Sequence, residues 1–152
     1  MQLFDTLSRR LGTPGIIIAT ALFAVAINLV VYGVGTMAGG TFDFTDGGKS
    51  YHVDVLTLTG FTAIPLLVGL TVVAILARRA AWVFPLALVV APIAAIATIF
   101  TMTLPADLDT TSTITLAVTH VVVGLMAING ILALQSATTE REIRMVRSTH
   151  AR

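Results

Sequence analysis

The sequence predicts an all-α, polytopic integral membrane protein: an antiparallel four-helix transmembrane bundle with one short extracytoplasmic β-hairpin. Three observations carry this. Of the 152 residues, 56% are apolar and only 11% charged, against about 25% charged in an ordinary soluble domain. The apolar residues gather into four runs, each long enough to cross a hydrocarbon core of about 30 Å. Eight of the nine basic residues fall in alternate loops and tails, as membrane topology requires.

Along the chain, Leu3, Phe4, Leu7 and Leu11 recur at helical spacing with Arg9 and Arg10 close behind. This pattern predicts a short amphipathic helix on the membrane surface. Thr13-Pro14 reads as the start of the first span, with Thr13 as N-cap and Pro14 at the first helical position. The span runs from Gly15 to about Met37. A cleaved signal core is about 7–15 residues, so this longer run is expected to stay as a membrane helix.

Between Gly39 and Asp54 the pattern changes to alternation. Thr41 to Thr45 and Ser50 to Asp54 flank Asp46-Gly47-Gly48-Lys49, a turn signal, and predict a β-hairpin. Pairing Thr45 with Ser50 sets Phe44 opposite Tyr51, Asp43 opposite His52 and Phe42 opposite Val53. Phe42, Phe44, Tyr51 and Val53 then share a face for docking onto the bundle, leaving Asp43 and His52 on the wet one. An irregular loop with aromatic membrane anchors is the alternative.

The second span covers about Val55 to Ala77 and contains Pro65. Arg78-Arg79 closes it with a turn tight enough to make the second and third spans antiparallel neighbours. The third runs over residues 80–104 and carries Pro85 and Pro92, either of which removes a helix hydrogen bond. A short polar loop with Asp107 and Asp109 leads to the fourth span, residues 113–135. Residues 136–152 form a charged tail in which Glu140 and Arg144 stand four apart, favouring a helical extension. The whole chain reads as a single membrane domain.

Arg9 and Arg10, Arg78 and Arg79, and Arg141, Arg144, Arg147 and Arg152 lie on one side of this arrangement; only Lys49 lies on the other. The positive-inside rule therefore puts both termini and the Arg78-Arg79 turn in the cytoplasm, and the hairpin and the Asp107 loop outside.

Ionisable groups at membrane depth mark candidate sites. His120 is the one histidine well inside a span, and Asn28, Tyr32 and Asn129 complete an intramembrane polar set. His120 and Asn28 fall at similar depths. Ala117, His120, Gly124 and Ala127 form a small-residue stripe, and so do Ala21, Ala24, Asn28, Tyr32 and Gly35. Such stripes let helices approach closely, so spans one and four are expected to pack, with His120 touching Asn28. Asn129 is about half a turn from His120 and faces another neighbour or subunit. His120 is then either a neutral imidazole tying the bundle together, or part of a proton relay or ligand path.

Other chemistry is weakly represented. With no cysteines there is no disulfide, thiolate metal site or thiol-redox centre. Asp43, Asp46, His52 and Asp54 could face a cation, but acids in a polar loop are usually solvated, so no metal site is expected. A lone histidine at depth is a poor haem site, and no cofactor is expected. No hydrolase, zincin or phosphate-loop motif occurs. A net charge of +1 gives no reason to expect nucleic acid.

The texture of the chain resembles a family of small four-span bacterial membrane proteins, mostly actinobacterial, of unknown function. The resemblance rests on Ala24-Val25-Ala26-Ile27-Asn28, on Arg78-Arg79-Ala80-Ala81-Trp82, and on Leu116-Ala117-Val118-Thr119-His120. It covers nearly everything from Gly15 to Leu134. It implies fold and location, and no activity. The chain departs from the pattern at Asn129-Gly130, where a proline is expected.

Two functions are compatible with these residues. The first is a non-enzymatic envelope protein that works by helix association, with itself or with a membrane partner. The second is a small transporter or channel with His120 and Asn28 lining a path between proline-broken helices. An enzyme is not expected, because a histidine without a nearby carboxylate makes a poor catalytic set.

Overall fold

A computed structural model describes residues 2–150, with side chains described from residue 12 to residue 149. Its elements are α1 (Gln2–Met37), β1 (Asp43–Asp46), β2 (Lys49–His52), α2 (Val55–Ala77), α3 (Val83–Thr98), a π-helical turn (Ile99–Thr103) and α4 (Thr110–His150). Four helices are long and apolar enough to cross a membrane. Their outward faces carry large exposed apolar side chains, such as Leu22, Val30, Leu56, Leu86 and Leu125, suited to lipid.

Each element begins where local chemistry dictates. The backbone of α1 breaks at Gly12, where φ is 64° and ψ −175°, a conformation glycine adopts without a Cβ penalty. The break thus falls just before the expected Thr13 cap. Pro14 sits in the first turn beyond it, where its missing N–H leaves no helix carbonyl unpaired. The amphipathic face expected of Leu3, Phe4, Leu7 and Leu11 lies outside the described side chains. Asp54 caps α2 by accepting the Thr57 N–H at 2.7 Å. Because α3 starts at Val83 rather than Ala80, Pro85 falls in its first turn and does not break a span. Pro65 and Pro92 remain internal. α4 continues without a break through the charged tail. Its 41 residues reach about 60 Å at 1.5 Å per residue.

The hairpin has the register expected from its alternation: Asp43 with His52, Phe44 with Tyr51, Thr45 with Ser50. Gly47 and Gly48 both have positive φ, the requirement of a two-residue turn that matches the strand twist. Phe44 stacks on Tyr51 with centroids 5.5 Å apart, and Val53 N–H donates to the Phe42 carbonyl at 2.9 Å. The docking face is narrower than expected. Phe42 is buried and packs against Tyr32 at 4.4 Å, whereas Tyr51 is 46% exposed.

In the bundle, α1 packs along α4 and against α2, and α3 packs against α4. α2 and α3 are joined by a tight turn and do meet, though less extensively than α1 meets α4 or α3 meets α4. They are thus neighbours, as the turn predicts, but loosely packed ones. The core consists of Ile16, Ile17, Leu70, Phe84, Ile131 and Leu134 near the Arg78-Arg79 end, and Ala21, Ala24, Leu66 and Ala127 above them.

The α1–α4 seam is made of small groups. A Cβ on Gly35 would overlap the Thr115 side chain, and one on Gly130 would stand 2.8 Å from a Leu70 methyl and 3.0 Å from the Thr20 methyl. Gly130 therefore lets α4 approach α1 and α2.

Candidate functional site: an apolar cleft walled by His120

The divergence of α2 from α3 leaves a cavity of about 800 Å³ between them, floored by α4. It extends from Phe44, Thr45 and Asp46 of the hairpin down to Val73, Ala87 and Ile131. Buried Leu70 and Phe84 pack with Ile131 and Leu134 at the far end. The walls are mostly Ala, Leu, Val and Thr. Val90, Ala94 and Phe61 are wall residues with substantial exposure, so the cleft is open along its flank. Its size and apolar lining are those of a site for a small lipophilic molecule, which needs only a few placed polar groups.

His120 supplies such a group. Its Nδ1 lies 2.8 Å from Thr98 Oγ1, and Thr98 Oγ1 lies 2.6 Å from the Ala95 carbonyl. Two oxygens at that separation need a proton between them, and a threonine hydroxyl has one. Thr98 therefore donates to Ala95 and accepts from His120 Nδ1–H. The imidazole is then the Nδ1–H tautomer, and Nε2 keeps an acceptor lone pair on a ring that lines the cleft. Just beyond Thr98, α3 widens into the π-turn, a local form that often occurs at functional positions.

The expected contact between His120 and Asn28 does not occur. Asn28 is 1% exposed and donates to Thr62 Oγ1 at 3.0 Å and to the Thr119 carbonyl at 3.4 Å. Spans one and four do pack, and the depths agree, but the face of α4 is off by one residue. Thr115 and Thr119 look toward α1, while His120 and Gly124 look toward α3. A Cβ on Gly124 would meet Ala95 at 3.2 Å. Asn28 Oδ1 is the buried side-chain polar atom without a partner among the described residues. Tyr32 belongs to the hairpin junction, its hydroxyl donating to the Val53 carbonyl at 2.9 Å. Asn129 is exposed and donates to its own helix, at the Leu125 carbonyl. The four residues thus form no common site.

The hairpin is latched over this end of the bundle by the loop acids Asp107 and Asp109 together with Ser112. Asp109 caps α4 through Ser112 N–H at 2.9 Å and accepts from the Thr41 N–H and hydroxyl, each at 3.0 Å. Ser112 Oγ donates to Asp109 and accepts the Phe42 N–H at 2.9 Å. Asp107 accepts the Thr45 N–H at 2.6 Å. Hydrogen bonds from Ser112 and Thr41 hold the Asp109 carboxyl below its usual range. The Thr45 N–H does the same for Asp107, and Thr57 for Asp54. His52 Nδ1 meets Asp43 at 2.8 Å on the exposed face.

No curated protein and no solved structure matches the chain. A family pattern does match, over residues 8–137, which takes in the latch, the cleft and all four spans. The chain is a member of the family of unknown function DUF6069, an integral membrane protein whose activity that family does not define.

Proposed function

We propose that this is a non-enzymatic bacterial plasma-membrane protein that binds a small lipophilic molecule in the α2–α3 cleft and moves it between the outer leaflet and the bundle. The observation that carries this is the cleft itself, an apolar cavity of about 800 Å³ with His120 in its wall. This is the transport alternative with one change: His120 lines the path and Asn28 does not. The orientation rests on the distribution of arginines, which puts both termini and Arg78-Arg79 in the cytoplasm and the hairpin outside. The absence of catalysis rests on the partner of His120, an uncharged threonine rather than a carboxylate.

Ala94 is exposed on the cleft wall, so Ala94→Trp fills the cavity without entering the core. Native mass spectrometry from mild detergent is expected to find a small apolar molecule retained by the natural chain and lost from Ala94→Trp at equal thermal stability. Equal retention by both chains contradicts the reading.

One observation favours the association reading as a second function. Ile143 and Met145 are exposed, at 49% and 62%, on the part of α4 that projects beyond the membrane among arginines. Chemical cross-linking that yields only monomers in mild detergent removes it.

A further inference from the structure

The chemistry of the cleft narrows its occupant, an inference that rests on the cleft being a binding site. Among the described residues its walls hold no lysine or arginine, and the charged group that reaches it is Asp46 at the hairpin mouth. An anionic head, phosphate or carboxylate, would enter without a counter-charge and against an acid. Threonine hydroxyls also line the cleft, and those of Thr98 and Thr101 are spent on helix carbonyls; His120 adds Nε2, an acceptor, because Nδ1–H is committed to Thr98. A ligand that also offers only an acceptor, such as an ester or an ether, leaves that lone pair unpaired, at a cost. A ligand with a hydroxyl satisfies it.

We propose that the cleft takes an uncharged, hydroxyl-bearing lipophile, whose O–H donates to His120 Nε2 while its apolar body lies between α2 and α3. Thr98 is then a positioning residue. By accepting Nδ1–H it holds the imidazole in the tautomer that accepts. Gly124 completes the arrangement by bringing α4 close to Ala95 and Pro92, which fixes the ring against α3.

The test uses the full chain in lipid nanodiscs and three photoreactive probes built on one long alkyl chain: the alcohol, its methyl ether and its phosphate monoester. The alcohol is expected to label peptides from the cleft walls of α3 and α4 at least about fivefold more than the ether, the ratio one hydrogen bond supports. His120→Phe, which keeps a ring and removes the acceptor, is expected to bring the alcohol down to the level of the ether. Thr98→Val frees the tautomer and lowers labelling partway; nitrogen resonance of the ring, which a packing effect alone leaves in place, then reports an Nε2–H form. Equal labelling by alcohol and ether overturns the hydroxyl assignment while leaving the cleft a lipophile site. Stronger labelling by the phosphate overturns it in favour of an anion. Failure of all three probes to label the cleft walls, with labelling only on outward faces such as Val89, overturns both the assignment and the binding reading.

Discussion

Gly33 and Gly35 are two positions apart on α1 and are expected to respond to the same substitution in opposite directions. Replacing a helical glycine by alanine gains about 0.5–1 kcal/mol from backbone entropy. Around Gly33 a new Cβ meets nothing within 4 Å, so Gly33→Ala keeps that gain. At Gly35 it would overlap Thr115 Oγ1 and Cγ2 and stand 3.0 Å from the Phe42 ring. Overpacking a tight site costs about 1–3 kcal/mol, so Gly35→Ala is expected to lose about 1–2 kcal/mol net. The Thr115 hydroxyl donates only to its own helix, at Thr111. Thr115→Ala therefore strands no partner and should restore most of the loss in a Gly35→Ala background. Reversible unfolding in mixed micelles, read as a double-mutant cycle, measures this coupling. Equal stabilities for Gly33→Ala and Gly35→Ala, or no rescue by Thr115→Ala, would refute the close α1–α4 seam.

Asn28→Leu removes two weak interhelical bonds, worth about 0.6 kcal/mol each on average in membranes. It also removes the unpartnered Oδ1, whose burial costs about 1–3 kcal/mol, so unfolding should show it as no less stable than the natural chain. The low-lying Asp109 carboxyl contributes stability that is present above the unfolded value of about 3.9 and lost as pH falls below it toward the folded value. Hydrogen exchange at Thr41 and Phe42 should accelerate over that acid range, and Asp109→Asn should be fast at every pH; an unchanged profile would contradict the latch. Since the chain has no cysteine, Lys49→Cys and Arg79→Cys can be labelled from either side of intact cells. A membrane-impermeant reagent added outside should reach the first only.

Much of this architecture is written in local signals. The hairpin register comes from strict alternation around Asp46-Gly47-Gly48-Lys49, where only glycines take the turn easily. The span ends come from Arg78-Arg79, from Asp54 and from the short polar loop before α4. The rotation of each helix about its own axis is much less legible. In a soluble bundle the polar face reports solvent, whereas here both lipid and core are apolar, so periodicity scarcely separates Thr119 from its neighbour His120. Thr98 and Thr62, the partners of His120 and Asn28, are hidden for a related reason. Thr20, Thr71 and Thr115 satisfy their hydroxyls on carbonyls four residues back, so a threonine in a span signals nothing by itself. Ser112, Thr115 and Thr119, spaced at three and four, are the available clue to the true α1-facing stripe.

The cleft itself arises from a relation between helices, the divergence of α2 from α3, which no single stretch of sequence encodes. Its chemistry depends on one proton. Selective nitrogen-15 labelling of histidine, with His120 assigned by substitution, reads that proton directly. The Thr98–His120 pairing predicts a neutral His120 ring carrying its hydrogen on Nδ1, with the signal altered by Thr98→Val and unaffected by Asn28→Leu. An Nε2–H ring, or one that responds to Asn28 rather than to Thr98, would contradict it.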